Sequence, residues 1–125
     1  MDRRHVRRQK IVQQLFAATF DNAQTENPRV EKTDLVLQNL VEVDAHITHY
    51  AQKYEIDKIA KVDLAILRLS IYDLMIEKQV PPKVIINEAV ELAKELGGDK
   101  SPGFINAVLG KVYENEYGEV TEPNN

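Results

Sequence analysis

Four arginines near the start of the chain form its densest group of like charges. They are Arg3, Arg4, Arg7 and Arg8. Spacings of three and four residues place two or three of these side chains on one face of a helix, and a guanidinium binds phosphate through two hydrogen bonds and stacks on nucleobases. The group therefore fits contact with a polyanion. It fits equally well a solvated helix end in which Arg4 and Arg8 pack their aliphatic stems on the edge of the core.

A glycine-rich stretch, GGDKSPGF at residues 97–104, is the second candidate for binding chemistry. Backbone N–H groups at the start of a helix bind phosphate, Lys100 adds a positive charge, and Phe104 offers a ring on which a base can stack. Taken alone, the stretch is better explained as a connector between two helices whose phenylalanine belongs to the core.

Two other groups of polar residues are weaker candidates. His46 and His49 lie close to Asp44 in the sequence, but zinc sites use fuller ligand sets, so we expect no metal there. Three carboxylates on the polar arc of a later helix are better explained as a solvated face: Glu88, Glu91 and Glu95. The sequence also lacks a Walker loop, a dinucleotide fingerprint, a nucleophile elbow and an H-E-x-x-H motif. The residues thus predict neither an enzyme nor a bound cofactor.

The composition favours one helical domain over residues 1–118, followed by a flexible tail at 119–125. Of the 125 residues, 43% are hydrophobic, which suffices for a core. The charge is divided, because residues 1–10 form a basic arm with five of the sixteen Lys and Arg residues and one of the twenty acidic residues, so the remaining chain has a net charge of −8. The chain has no Cys, no apolar N-terminus and no apolar run of bilayer length. We therefore expect a cytoplasmic protein with no membrane partner.

Hydrophobic spacing predicts two helices in the first half of the chain. The first covers residues 4–20, where apolar residues repeat on one face. Residues 21–32 contain Asn and Pro without an apolar period and are predicted to form a loop. The second helix is predicted to begin at Thr33, as its N-cap, and to continue to about Tyr54, the last residue of an apolar stripe.

The next segment is predicted to be the centre of the fold. Residues 59–78 carry apolar side chains on every side of a helix, which is the pattern of a buried helix. Arg68 and Asp73 interrupt this pattern. Each needs a partner if it is buried, because an unpaired buried charge is costly.

Proline and glycine mark the ends of the last two predicted helices. Pro81 and Pro82 open the first of them, since a proline in the first turn loses no helical hydrogen bond. Gly97 and Gly98 are predicted to close that helix, since glycine takes the left-handed conformation that a C-cap needs. Ser101 is the predicted N-cap of the final helix, with Pro102 at its first position.

The order of motifs over residues 62–112 resembles one known family. VDLAILRLSIYDL is followed by VIINEAVELAKELG, a short turn and S-x-x-FINAVL. This order is similar to that of the NusB family of transcription antitermination factors, closely over residues 3–18 and 62–112 and more loosely over 33–60. The resemblance implies a compact, all-α bundle of about five to seven helices without a catalytic site.

The resemblance also implies a function. Proteins of this family bind boxA-type RNA together with the ribosomal protein NusE, and they join the RNA polymerase elongation complex during ribosomal RNA transcription. The family's RNA-contacting positions correspond here to Arg3, Arg4, Arg7, Arg8, Phe16, Gly98, Lys100, Ser101 and Phe104. Its protein-partner surface corresponds in part to Asp63, and monomer and homodimer both stay open. The alternative is a helical protein–protein interaction module that keeps the fold and does not bind RNA.

The chain departs from the family pattern at two places. Family members usually have another helix's length of sequence where this chain has only residues 21–32. The turn often carries an acidic residue where this chain has Lys100, and a His or Lys where it has Pro102. The first departure is expected to alter the partner surface, and the second adds positive charge to the predicted RNA contact.

Overall fold

The computed structural model describes residues 2–20 and 29–118, and this part of the chain consists of helices joined by turns. Its six α-helices are α1 (Arg3–Ala17), α2 (Glu31–Gln38), α3 (Leu40–Tyr50), α4 (Lys61–Ile71), α5 (Pro82–Leu96) and α6 (Ser101–Glu116). A 3₁₀ turn, Ile56–Lys58, separates α3 from α4. The all-α class and the number of helices agree with the prediction, whereas the predicted tail at 119–125 lies outside the described residues.

The helix α4 lies at the centre of the fold, as its apolar pattern predicts. Eight of its eleven residues are buried, and it packs against α1, α3, α5 and α6. After Ile71 the helix widens into a π-helical segment, Tyr72–Glu77. It ends at Lys78, whose φ of 57° is left-handed. The predicted central helix over 59–78 is therefore confirmed, with a later start and a wider final part.

Both charged residues that interrupt this central helix have partners. Arg68 donates from Nε to Asp44 Oδ1 at 3.0 Å and from Nη2 to Asp44 Oδ2 at 2.8 Å. Asp73 is 5% exposed, and Lys32 Nζ lies 2.5 Å from its Oδ1 and 3.1 Å from Glu77 Oε2. Burial raises the pKa of Asp73, and the ammonium group of Lys32 opposes that rise. Asp73 is buried and paired, as the sequence requires of a buried charge, and the partly buried Arg68 is paired as well.

The start of the second predicted helix differs from the prediction. The helix α2 begins at Glu31, within the predicted loop, and Thr33 is a buried residue of its first turn rather than its N-cap. The Thr33 hydroxyl donates to Gln14 Oε1 at 2.7 Å, and the Val30 N–H donates to the same oxygen at 3.0 Å. The threonine is thus used to join α2 to α1, because its hydroxyl finds a buried acceptor on the neighbouring helix.

The predicted second helix is also divided into two. The break falls at Asn39, whose side-chain amide donates to the Leu35 carbonyl at 2.7 Å and whose φ of −113° is not helical. Such a side-chain bond competes with the backbone ladder of a helix. The stripe predicted to end at Tyr54 ends at Tyr50, and Tyr54 lies beyond α3 with 48% of its surface exposed.

The corner between α5 and α6 is tighter than the sequence suggests. Pro82 lies in the first turn of α5, as predicted. Gly97 follows α5 with φ −96° and ψ −166°, and no glycine in residues 2–20 and 29–118 has a positive φ, so the predicted left-handed closure by Gly97 and Gly98 is wrong. Gly97 is needed for close approach, because a Cβ there would lie 2.5 Å from Ser101 Oγ. Ser101 is the first residue of α6 rather than its N-cap, and its Oγ accepts the Gly98 N–H at 3.0 Å across the turn.

Candidate nucleic-acid interface

The four arginines lie in the first two turns of α1. The helix covers Arg3–Ala17 rather than the predicted residues 4–20, and Asp2 caps it by accepting the Arg4 backbone N–H at 2.9 Å. Arg3, Arg4 and Arg7 are exposed and Arg8 is partly buried. Further along the same helix, the buried residues Ile11, Val12 and Leu15 face the core. The apolar end of α1 therefore anchors it, and the basic end extends from that anchor.

A cavity of about 230 Å³ lies beside this basic arm. Arg4, Arg7 and Arg8 line it together with Lys32, Asp73 and Glu77. The two carboxylates are already engaged by Lys32. Arg8 lies 3.4 Å from a carboxylate of α5, whereas Arg3, Arg4 and Arg7 form no ion pair with any residue in 2–20 or 29–118. Within the described structure, three guanidiniums of the arm thus have no carboxylate at ion-pair distance, although two carboxylates line the same cavity as Arg4 and Arg7.

Phe16 lies at the other end of α1. It follows Arg7 by nine residues, which corresponds to about 13 Å along a helix. Its ring is partly buried and meets the ring of Phe20 edge to face, with centroids 5.3 Å apart. The structure therefore separates this predicted RNA contact from the arginines, although both belong to one helix.

A larger cavity, of about 480 Å³, opens beside the turn between α5 and α6. The predicted RNA-contacting residues of the turn that line it are Gly98, Lys100, Ser101 and Phe104. Gly98 and Lys100 are exposed, whereas Ser101 is buried and engaged with Gly98. The Phe104 ring packs edge to face on the ring of Tyr54, with the two ring centroids 5.1 Å apart. The structure thus brings four of the predicted residues to one cavity with an aromatic wall.

Asp63 lies in the wall of that same cavity. It belongs to the first turn of α4, is 8% exposed, and its Oδ1 is buried without a hydrogen-bond partner among the described residues. A buried carboxylate oxygen without a donor is unfavourable, so a bound group with an N–H would relieve it. The prediction separated Asp63 from the RNA-contacting turn, and the structure instead makes the two neighbours.

The cavity also contains residues that the sequence did not single out. Tyr54 was assigned to the core stripe, and Lys58 was assigned only to a break between helices; both line the cavity. The helical period placed Tyr54 one turn too far along a helix that ends at Tyr50. No signal in the chain marks Lys58, because it reaches the site through the 3₁₀ turn.

The helix α5 connects the arm to the turn. His5 Nδ1 lies 3.0 Å from Glu88 Oε1, and His5 Nε2 lies 2.7 Å from Glu95 Oε1. Glu95 is two residues before Gly97, where the turn begins. Glu88 and Glu95 are therefore not the plain solvated face that the sequence predicted. No hydrogen bond or ion pair joins an arginine of the arm to the turn within the described structure, so α5 is the link between them.

The histidine and the glutamate shift each other's pKa. The hydrogen bond to Glu88, followed by that to Glu95, raises the pKa of His5. The hydrogen bond from His5 lowers the pKa of Glu95. Both shifts favour the charged forms, so the contact is an ion pair across a wider pH range than the ordinary pKa values would give.

Two other features of the described residues concern metal binding and membrane insertion. In residues 2–20 and 29–118, no group of three or more His, Cys, Asp or Glu side chains has the arrangement of a metal site, and His46 lies 3.9 Å from Glu42. Within the same ranges, none of the helices combines the length and the apolar character that a membrane span requires.

Comparison with known proteins supplies the family. Residues 12–114 match the NusB family. The chain is 38% identical over 133 residues to the transcription antitermination protein NusB of Lactiplantibacillus plantarum, covering 90% of this chain and 96% of that protein. It is 39% identical over 108 residues to the protein of that name from Alkaliphilus oremlandii, covering 86% and 78%.

Two further matches complete the comparison. A shorter alignment with the Clostridium tetani protein of the same name is 52% identical over 77 residues and spans 62% of this chain but only 50% of that protein. The fold matches a solved structure of T. maritima NusB with a TM-score of 0.71, 26% identity and 94% coverage of each chain. Membership of a family of antitermination factors agrees with the prediction that the chain is not an enzyme. The predicted resemblance is confirmed, and the chain belongs to the NusB family.

Proposed function

We propose that this protein is a transcription antitermination factor that binds boxA-type RNA together with the ribosomal protein NusE. In this role it supports the RNA polymerase elongation complex during ribosomal RNA transcription. The observation that carries the proposal is the exposed basic end of α1. There, Arg3, Arg4 and Arg7 lack ion pairs within residues 2–20 and 29–118 on a chain that is otherwise net acidic.

The charge distribution supports RNA binding at one defined place rather than non-specific attraction over the whole surface. An acidic body repels a polyanion everywhere except near a local group of cations, and that group then decides where and how RNA docks. Arginine suits this role because its planar guanidinium pairs with phosphate and stacks on bases. The arm therefore supplies the largest part of the phosphate attraction in the proposed complex.

The turn between α5 and α6 supplies the second contact. Lys100 is exposed there, and the half-buried Phe104 ring is supported from the side by Tyr54. A supported ring loses little freedom when a base stacks on it, and such stacking recognises single-stranded RNA. Lys58 adds a second cation to the same cavity.

The protein partner is proposed to meet the chain at Asp63. Its Oδ1 has no hydrogen-bond partner among residues 2–20 and 29–118 and suits an N–H donor or a cationic side chain from NusE. Asp63→Lys is expected to weaken NusE binding strongly and to leave RNA binding by the free protein intact or improved, since the change adds positive charge. Titration of each ligand separately tests this. Loss of RNA binding with unchanged NusE binding would reverse the assignment.

The experiment that tests the whole proposal is binding to a boxA-type RNA at several salt concentrations, with and without NusE. Arg7→Ala should weaken binding and reduce the dependence of the logarithm of affinity on the logarithm of salt concentration by roughly one unit or slightly less. Lys111→Ala is the matched control, because this exposed cation lies ten residues beyond Ser101 on α6. If Arg7→Ala and the parent protein bind alike at every salt concentration, the interaction-module alternative replaces the proposal.

A further inference from the structure

The segment that carries the arginines is poorly anchored by packing. None of residues 3–10 is buried, and the first buried residue of α1 is Ile11. The end of a helix frays when only its own hydrogen bonds hold it, since each terminal turn gains few contacts for the freedom that it loses. Side-chain contacts outside the core must therefore fix the first two turns of α1.

Four side chains supply such contacts between α1 and α5. His5 bridges Glu88 and Glu95 through its two ring nitrogens, at 3.0 and 2.7 Å. Gln9 Nε2 donates to the same Glu95 oxygen at 3.0 Å. We name the set of His5, Gln9, Glu88 and Glu95 the latch. It spans one turn of α1 and two turns of α5, and Arg8 adds an ion pair to Glu88 at 3.4 Å.

The chemistry of the latch suits a protonated ring. An imidazolium donates from both ring nitrogens, and an ionised carboxylate only accepts, so one ring satisfies two carboxylates at once. The His5 side chain is 15% exposed and that of Glu88 is 27% exposed, which limits competition from water. Glu95 is the more exposed end of the latch, at 38%.

We propose that the latch residues are positioning residues for RNA binding: they hold the first two turns of α1 on α5, so that the exposed arginines meet RNA as one ordered helical face. This inference rests on the proposed function. An arm that is already ordered loses less conformational freedom when it binds, and that difference appears as affinity. Two glutamates next to the arm thus favour the binding of a polyanion although they carry the same sign of charge as RNA.

This proposal predicts an effect opposite to that of simple electrostatics. A glutamate close to a phosphate site repels RNA, so its removal alone strengthens binding. If the glutamate instead orders the arm, its removal weakens binding. The direction of the change therefore separates a positioning role from a bystander role.

The test compares Glu95→Ala with Glu91→Ala in a titration of boxA-type RNA at constant salt. Glu91 is a matched control, because it lies on the same helix, its side chain is 54% exposed, and it pairs within the described residues with Lys94 at 3.3 Å rather than with the arm. Both variants remove one negative charge. Glu95→Ala should bind roughly two- to fivefold more weakly than the parent, and Glu91→Ala should bind as tightly or slightly more tightly. Tighter or equal binding by Glu95→Ala overturns the proposal.

Amide hydrogen exchange in the free protein gives a readout that does not depend on RNA. The amides of residues 7–10 should exchange faster in Glu95→Ala than in the parent or in Glu91→Ala, while those of α4 stay unchanged. Unchanged amide exchange of residues 7–10 overturns the proposal, whatever the RNA titration shows. If Arg7→Ala leaves RNA binding intact, the proposed function fails, and exchange still decides whether the latch orders the arm.

Discussion

The basic arm and the α5–α6 turn are held in place by opposite means. The arm projects beyond the core, has high charge density, and depends on side-chain contacts at its surface. The turn is held by buried Ser101 and by a glycine that permits close approach, and it forms one wall of a cavity with an aromatic pair. Contacts between surface charges and phosphates give an affinity that depends strongly on salt, whereas stacking on a ring in a cavity gives an affinity that depends little on salt.

Both regions depend on α4, so damage to this helix should affect them together. Leu67 is fully buried at its centre. Leu67→Ala should lower the free energy of unfolding by about 2–5 kcal/mol, because it leaves a cavity in a packed core. Thermal or denaturant unfolding measures this. Val41→Ala is the control, since Val41 is 91% exposed and its loss should change stability little. Parent-like unfolding of Leu67→Ala would contradict the central placement of α4.

The success of the α4 prediction and the failure of the α2 prediction have one explanation. A helix that is apolar all round has one location open to it, so its sequence pattern is sufficient. Thr33 and Asn39 are small polar residues that can cap a helix or lie within one. Which position each takes depends on the hydrogen-bond partners that surround it in the fold. Gln14 lies on another helix and takes the Thr33 hydroxyl, while Leu35 supplies a carbonyl to Asn39. The contact between Thr33 and Gln14 joins two helices, so no local sequence pattern predicts it.

The candidate site likewise has features that the sequence predicts and contacts that it does not predict. The arginines were predictable because charge density is visible in the sequence, and the motifs of the turn carried the family resemblance. The His5 bridge to Glu95 was not predictable, since it joins residues 90 positions apart. Tyr54 was missed for a related reason. It contacts Phe104 from the segment that follows α3, which ends at Tyr50 and not at Tyr54 as the spacing predicted.

Loss of the aromatic ring of the turn should lower the affinity for RNA and leave the salt dependence of that affinity almost unchanged. If the Phe104 ring stacks on a base, Phe104→Ala should cost about 1–3 kcal/mol of RNA binding with little change in the salt slope. The same sample must be checked for folding, because the ring also packs on Tyr54. A reduced slope with intact folding would mean that the turn acts through charge, as the arm does, and the contrast between the regions would disappear.

Lys100 tests whether the turn adds any electrostatic contribution of its own. Lys100→Ala should weaken binding less than Phe104→Ala at physiological salt, and it should make the salt slope shallower by roughly one unit if Lys100 contacts a phosphate. Binding at four or more salt concentrations gives both quantities. An unchanged slope would leave the arm as the source of the salt dependence and sharpen the division of roles.

The smallest expected effect is the pH dependence of the arm, and it follows from the latch. The pKa of His5 is raised above its ordinary value of about 6.5, so the stabilisation from its charge is complete below that value and is lost as pH rises through the raised pKa. The pKa of Glu95 is lowered, so its contribution is complete above the ordinary glutamate value and is lost as pH falls through the lowered pKa.

The arm should therefore be best ordered between these two limits, and protection factors for the amides of residues 7–10 measure this across pH 4 to 9. His5→Gln is the comparison, because it removes the titrating ring. Glu88 and Glu95 are the charged groups that contact the ring, and Arg8 forms an ion pair with Glu88. Loss of protection in the parent above neutral pH, without the same loss in His5→Gln, is the expected result. Parallel profiles for the two proteins would show that the arm is ordered by contacts other than the histidine.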